Sequence, residues 1–446
     1  MQSNWLAPAR PVLMRLERIL TAVLALGAAA LLSGCGQPSV PKGRIELTLW
    51  KHQAGDTEEA ANTAAIARFN ASQSRWYVTA QSIPQSGYTQ SIVAASMAGQ
   101  LPCLMTVDQP MVADFVWAGH LRPIDDLVPA ATLGQITPGG KGAYQGHVYS
   151  VGQFDAALAI YTRRSALARI GARIPTLDEP WSLAEFDDIL RKLKATGRYS
   201  YPLDLSTRDT KSDWWTYAFS PILQSFGGGL IDRSTMARAN GALNGPAAVR
   251  FAMWFQWLFA SGLVDRREPD ENAFVNGRAA MAYTGNWWAP DYRQKVGGDL
   301  LILPPPDFGH GPMIGAGSWQ WAVSRTCKHL DGASAFLRFM LKPREVAAMS
   351  NAAGMIPVTE AGATLSADFR PGGKGRIFYE LMHRFASERP ATPAFSTISN
   401  NFYDALRNIM DGENPQDALD DAVDEIDQSI ADNDGYLVPD KQAAAR

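Results

Sequence analysis

The sequence lacks most features by which enzymes, nucleic-acid-binding proteins and membrane channels are recognised. Three cysteines are too few for a disulfide framework, and the six histidines are scattered without the spacing of a zinc site. No phosphate-binding, nucleophile-elbow, dinucleotide-binding or metalloprotease motif occurs. Lys and Arg number 41 against 44 Asp and Glu, and a net charge of -3 is too weak to drive nucleic-acid binding. Beyond the N-terminus no apolar run could span a bilayer, which excludes a polytopic membrane protein.

What is present is an ordinary globular composition with an unusual number of tryptophans. Of the 446 residues, 46% are hydrophobic and 19% are charged, so extended disorder is not expected. The length predicts two or three domains. The 13 tryptophans stand out and direct the search for a binding site.

The N-terminus carries the pattern of an export signal. Arginines precede an apolar run at 19–32 that is too short to span a bilayer comfortably, as in a secretory signal peptide. Translation could begin at Met1 or at Met14. We expect residues 1–34 to be removed on export.

The end of this signal resembles a bacterial lipobox, Leu32-Ser33-Gly34-Cys35. We therefore expect Cys35 to be lipidated and residues 35–43 to tether the protein to a membrane of the cell envelope, inner or outer. The two remaining thiols, Cys103 and Cys327, could pair in an oxidising compartment or stay free and buried.

Hydrophobic patterns predict α/β units in the first part of the chain. Alternation at 45–50, 77–83 and 101–107 indicates strands. Intervening helices are predicted from a capping-box-like Asp56 and Glu59 and from the pattern at 92–97. Strand and helix alternating at this spacing favour a parallel sheet.

Later segments are mainly helical. A capping box at 182–185 opens a helix that stops at Gly197, and Asn244-Gly245-Pro246 opens another that ends at Gly262. Further helices are predicted at 333–341, 346–352, 378–385, 403–410 and 418–430, with strands at 300–303 and 319–323.

The tryptophans fall into two groups. Trp254 and Trp257 have helical spacing and are assigned to the core. Others lie at strand ends or in polar stretches, where a ring face can stack on a pyranose while nearby polar groups bind its hydroxyls. The second group is Trp50, Trp214-Trp215, Trp287-Trp288 and Trp319-Gln320-Trp321.

Ordered segments along the mature chain carry a family resemblance. After the lipobox and first strand come Leu101-Pro102 running to Asp108, then 119–124, 146–151, 161–164, 180–182, 274–281 and 354–358. In this order and spacing they resemble the extracellular solute-binding proteins of ABC importers, in the carbohydrate-binding group that includes maltose- and trehalose/maltose-binding proteins.

The resemblance implies an α/β, two-lobe periplasmic-binding-protein fold of type II, with discontinuous lobes joined by a hinge and ligand in the cleft between them. Lobe one is then expected at 44–153 and 311–369, lobe two at 154–310 and 370–440, and a tail at 441–446.

The resemblance also implies ligand-binding positions. Asp108 corresponds to an acid after a lobe-one strand, Asp155 to a hinge-side acid, and Trp287 to a stacking aromatic. Gly317-Ser318-Trp319 resembles a Gly-Gly-Trp that touches sugar, and Arg389 corresponds to an arginine that reaches the cleft. The complete expected set is Trp50, His52, Tyr88, Asp108, Gln153, Asp155, Trp214, Trp287, Gly317, Ser318, Trp319 and Arg389.

The expected function is capture of a mono- to oligosaccharide by hinge closure, followed by delivery to an ABC permease. A monomer is expected, with no catalytic residue, cofactor, metal or nucleic-acid partner. Alternatives are a polyol, glycerol-3-phosphate or polyamine bound by the same fold, a secreted glycosidase, and an adhesin with an open groove.

Overall fold

The structure is a computed structural model that describes residues 40–208 and 212–436. The predicted signal peptide, Cys35 and the tail at 441–446 lie outside the described residues. Among those that are described, no helix has the length and apolar character of a membrane span.

Strands and helices alternate along most of the chain. The strands are β1 Ile45–His52, β2 Trp76–Ile83, β3 Leu104–Asp108, β4 Lys141–Tyr144, β5 His147–Val151, β6 Phe154–Asp155, β7 Leu158–Arg163, β8 Tyr201–Asp204, β9 Ala279–Gly285, β10 Leu300–Leu303, β11 Ile314–Ala316, β12 Trp319–Val323, β13 Ile356–Pro357 and β14 Ala386–Glu388. The helices are α1 Asp56–Ser72, α2 Tyr88–Met97, α3 Val112–Trp117, α4 Ala130–Leu133, α5 Arg164–Ile170, α6 Leu183–Ala195, α7 Trp214–Ser225, α8 Pro246–Ala260, α9 Ala289–Val296, α10 Leu330–Met340, α11 Pro343–Ala353, α12 Glu360–Leu365, α13 Arg376–Phe385, α14 Phe395–Asp411 and α15 Pro415–Asp432.

Two separate sheets organise the molecule. One has the strand order β2-β1-β3-β12-β5-β4, and the other has the order β10-β7-β9-β8. Each sheet together with the helices packed on it forms a lobe. We call the two the six-stranded lobe and the four-stranded lobe. Two short strand pairs, β6 with β13 and β11 with β14, belong to neither of these sheets.

The parallel sheet predicted from the sequence is correct only in part. β1 pairs in parallel with β2 and β3, as expected for strands joined through helices. β12 comes from a later part of the chain and is antiparallel to both β3 and β5. The four-stranded sheet is also mixed, with β7 antiparallel to β9 and β10, and β8 parallel to β9.

Each lobe buries its own apolar residues. In the six-stranded lobe, Leu47, Phe69 and Phe336 belong to one core cluster between sheet and helices. In the four-stranded lobe a larger core includes Trp215 and Leu406, so the C-terminal helices α14 and α15 pack here. Burial of this extent is the main stabilising contribution in either lobe.

Of the two capping boxes predicted from the sequence, one is present in the structure and one is absent. The capping box at Ser182 and Glu185 is confirmed with both reciprocal hydrogen bonds. The one predicted at Asp56 is wrong, because Gly55 is the N-cap of α1 and makes no side-chain capping bond. Glu59 instead forms an ion pair with the buried Lys51 of β1.

A disulfide joins Cys103 to Cys327, which resolves the choice that the sequence left open. Cys103 precedes β3 and Cys327 follows β12, so the bond links the ends of two neighbouring strands across 224 residues of chain.

Candidate functional site

A cavity of about 690 Å³ is lined by residues of both lobes. Its aromatic lining consists of Tyr88, Phe115, Trp214, Tyr217, Trp287 and Trp319. Its charged lining, among the described residues, consists of Asp108, Asp213 and Arg389. Rings combined with a few polar groups are the usual lining of a small-molecule site.

On the six-stranded side, strand pairing places Asp108 beside Trp319. β3 ends at Asp108 and β12 begins at Trp319, and the antiparallel register pairs these two residues. The connection into β12 supplies Gly317 and Ser318, which also line the cavity.

Trp319 is held from behind by His52 and at its edge by Tyr88. The His52 and Trp319 rings are stacked 3.8 Å apart with an angle of 12° between their planes. The His52 backbone N–H donates to Thr106 Oγ1 at 2.9 Å, and Glu58 lies 3.2 Å from His52 Nε2. The Tyr88 ring meets the Trp319 ring edge-on at 5.4 Å. Trp319 therefore has little freedom to reorient.

On the four-stranded side, a helix start and a strand end supply the rings. Trp214 and Tyr217 lie three residues apart at the start of α7, so their side chains are on the same face of the helix. Trp287 lies in a short 3₁₀ turn after β9, and its ring covers the backbone of Gly285.

A buried ion pair joins Asp108 of β3 to Arg389, which follows β14. The two guanidinium NH groups donate to the two carboxylate oxygens at 3.1 Å each. The guanidinium also lies 5.2 Å from the centroid of the Tyr217 ring. Arg389 thus connects an acid of the six-stranded lobe with a ring of the four-stranded lobe.

Other polar atoms at the cavity have no hydrogen-bond partner among the described residues. They are Trp214 Nε1, the Tyr217 hydroxyl and Arg389 Nε. Buried polar atoms are normally satisfied, so such atoms at a cavity are available to a ligand or water.

Asp155 does not line the cavity. Its carboxylate links two segments that are distant in the chain, at Ala156 and Gly317. Its Oδ1 accepts from the backbone N–H groups of Ala156 at 2.8 Å and Gly317 at 3.0 Å. Gly139 packs so closely that a side chain there would overlap the Asp155 carboxyl. Burial raises the pKa of Asp155 to about 6, although the two N–H groups oppose this.

We expect Asp155→Asn to flatten the dependence of stability on pH. The pKa of Asp155 is raised from 3.8 to about 6 on folding, so the native state binds more protons than the unfolded state between these values. The free energy of unfolding of the wild type should therefore fall by up to about 3 kcal/mol as pH rises through this window. Asparagine keeps the acceptor oxygen but does not titrate.

Urea unfolding between pH 4 and pH 6 measures this effect, with the exposed Asp421→Asn as a control that should follow the wild type. Parallel profiles for wild type and Asp155→Asn would contradict the assignment of a raised pKa to Asp155.

The structure brings together eight of the twelve expected site residues on the cavity lining. These are Tyr88, Asp108, Trp214, Trp287, Gly317, Ser318, Trp319 and Arg389. Their role in ligand binding stays a prediction.

The other four lie behind the lining. Trp50 packs with the core around Tyr88, and His52 supports Trp319. Gln153 is fully buried, and its amide bonds the Met340 carbonyl and the Trp321 indole. Asp155, described above, completes the four. The side chains of His52, Gln153 and Asp155 are bonded within the protein, so these residues support the lining from behind.

Sequence reasoning missed Asp213, Tyr217, Ser396 and Ser399 on the lining. Asp213 directly precedes Trp214 and Tyr217 follows it by three residues, so helical spacing from Trp214 could have found Tyr217. The two serines lie in the first turns of α14, which begins at Phe395 and not at the predicted residue 403. Serine and threonine in that stretch hid the helix, since both are poor formers of helix interiors.

Within the described residues no group of three or more His, Cys, Asp or Glu side chains is placed to hold a metal ion.

Comparison with known proteins gives a family match. A family model described as bacterial extracellular solute-binding protein matches residues 64–370. The sn-glycerol-3-phosphate-binding periplasmic protein UgpB of Escherichia coli O1:K1 is 22% identical, over 94% of this chain and 98% of its own. A lipoprotein in the oleD 5' region of Streptomyces antibioticus is 23% identical, over 73% of each chain.

Solved structures with a similar fold include sugar-binding proteins. The cyclic α-maltosyl-1,6-maltose binding protein of Arthrobacter globiformis superposes with a TM-score of 0.73 at 24% identity, over 87% of this chain and all of its own. The maltose/maltodextrin-binding domain of Bdellovibrio bacteriovorus, bound to maltotriose, gives 0.71 at 19% identity, over the same shares. At these identities the likeness establishes the fold, and the two-lobe α/β architecture expected from the sequence is confirmed.

Proposed function

Because this chain belongs to the bacterial extracellular solute-binding protein family, we propose that it captures a sugar between its lobes and delivers it to an ABC permease. The observation that carries the proposal is the cavity itself, where rings and carboxylates from both lobes face one volume of about 690 Å³. Aromatic faces suit the apolar faces of sugar rings, and carboxylates accept from sugar hydroxyls.

Capture is proposed to occur by closure of one lobe on the other. A ligand that contacts both lobes favours the closed arrangement by its differential affinity for that state. Asp155, which bonds Gly317 next to the start of β12, is the proposed pivot. The lobes would be residues 44–153 with 311–369, and 154–310 with 370–440. The proposal assigns no catalytic step to any residue.

Anchoring and assembly are part of the same proposal. Cleavage after residue 34 and lipidation of Cys35 would hold the protein, as a monomer, at the outer side of a membrane. The lipoprotein name of the Streptomyces antibioticus relative supports this. Mass spectrometry of the mature N-terminus tests it directly, since an unmodified Cys35 would rule out the lipid.

A second candidate ligand is glycerol-3-phosphate, because the Escherichia coli relative that covers 94% of this chain binds that compound. A phosphate needs convergent cations or helix N–H groups. Among the described lining residues the cation is Arg389, whose two NH groups already bond Asp108. This pairing favours the sugar.

An intrinsic tryptophan fluorescence titration separates the two candidates. The purified protein is titrated with neutral sugars, polyols and glycerol-3-phosphate, and its melting temperature is followed in parallel. Saturation with a sugar together with a raised melting temperature is expected. A response confined to glycerol-3-phosphate would transfer the proposal to that ligand, and silence across the panel would reject sugar capture.

A further inference from the structure

Three aromatic rings on the four-stranded side of the cavity form a continuous wall. Trp214, Tyr217 and Trp287 lie with their ring centroids 6.3 Å apart in every pair. The planes of the two tryptophans are 79° apart, close to a right angle. Tryptophan is the aromatic residue that attracts cations most strongly.

A carboxylate stands at the start of this wall. Asp213 directly precedes Trp214, lines the cavity, and accepts a hydrogen bond from Ser399 Oγ at 2.9 Å. Burial and the neighbouring charge of Asp108 raise the pKa of Asp213, so a positive charge beside it would stabilise its ionised form.

The described lining holds two carboxyl groups and one guanidinium. Asp108 and Arg389 are paired through two hydrogen bonds, whereas Asp213 accepts from Ser399 and is bonded to no cation among the described residues. Nearby, the Tyr217 hydroxyl is buried and has no partner among the described residues, although Tyr217 is only 7% exposed. Among the described residues the site therefore offers a carboxyl group without a cation partner and an unsatisfied hydroxyl group.

We propose that the ligand is an amine-bearing sugar, whose protonated nitrogen lies between Asp213 and the Trp214–Trp287 wall. This rests on the proposed function and names its substrate class. The ammonium donates to the carboxylate in a charge-assisted hydrogen bond and meets the electron-rich ring faces at the same time. The sugar hydroxyls remain for the other lining groups.

Matched sugar pairs test the charge separately from the shape. The β-1,4-linked glucosamine disaccharide and cellobiose differ only by two amines in place of the two 2-hydroxyls. Glucosamine and glucose, and galactosamine and galactose, differ by one amine in place of the 2-hydroxyl. Isothermal titration of the purified full-length protein, below the pKa of the amine, gives the affinity ratio within each pair. We expect the amine to bind about tenfold more tightly in at least one pair, with an advantage that rising NaCl reduces.

Two variants locate the effect. Asp213→Asn removes the charge and keeps an acceptor for Ser399, so the affinity ratio should fall close to one. The matched control is Asp114→Asn. Asp114 accepts a hydrogen bond at 2.8 Å from Ser396 Oγ, which lies in α14 as Ser399 does, but Asp114 is not among the lining residues. It should keep the ratio of the wild type.

Equal affinities within every pair would overturn the amine assignment while leaving sugar capture intact. A ratio that Asp213→Asn leaves unchanged would overturn the role of Asp213. Silence toward both members of every pair would overturn the amine assignment, and if the neutral sugar panel is also silent, the proposed function fails with it.

Discussion

Substitution of Gly285 by alanine is expected to reduce ligand affinity by about 100-fold. A Cβ atom at this position would overlap the Trp287 ring, which lies against the Gly285 backbone. Gly285 has an extended conformation with φ of -85°, which any residue can adopt, so the effect would come from displacement of the ring alone. Titration calorimetry with the ligand found in the sugar panel measures the loss.

The matched control is Gly298→Ala, because no atom lies within 4 Å of a Cβ at that position in the same lobe. It should bind as the wild type does. The double variant Gly285→Ala, Trp287→Ala relieves the overlap, so it should recover thermal stability without recovering affinity. Full affinity in a folded Gly285→Ala protein would show that Trp287 does not contact the ligand.

Breaking the Asp108–Arg389 pair is expected to cost about 4 kcal/mol of unfolding free energy. Both side chains are buried, with 11% of the Asp108 side chain and 3% of the Arg389 side chain exposed, so loss of one partner leaves the other charge desolvated and unpaired. Asp108→Asn and Arg389→Met should each be strongly destabilising. The double variant should cost much less than the sum of the two, because neither charge remains. Urea unfolding of all four proteins gives the coupling energy.

An exposed ion pair is the control for this cycle. Arg122 and Asp126 lie four residues apart with their charged groups 2.8 Å from each other, and Asp126 is 61% exposed. Asp126→Asn should change stability by less than about 1 kcal/mol. Additive losses at Asp108 and Arg389 would mean that the two charges do not stabilise each other.

The sequence predicted local elements well where one pattern dominated. The strands at 300–303 and 319–323 have the predicted bounds, because short apolar runs between turn residues have few alternatives. The capping box at Ser182 is equally local. The start of α14 was missed because its first turns carry serines and a threonine, which are poor formers of helix interiors.

The cavity was predictable only through the family resemblance, since it assembles from distant parts of the chain. Asp108 and Arg389 are 281 residues apart, and no local pattern links them. His52 and Gln153, which the resemblance placed among the ligand-binding positions, lie behind the lining. Thr106 and Glu58 engage His52, and protein groups satisfy Gln153. Which polar groups the fold itself satisfies depends on tertiary packing.

The most direct test of the account is the distance between the lobes with and without ligand. Met97 of the six-stranded lobe and Met253 of the four-stranded lobe are 86% and 59% exposed, so spin labels on Met97→Cys and Met253→Cys should not disturb either core. Cys103 and Cys327 are joined in a disulfide and are not expected to react. We predict that a saturating sugar narrows the distance distribution and moves it to shorter values, and that Trp287→Ala prevents the change. Saturating binding with an unchanged distribution would contradict capture by closure.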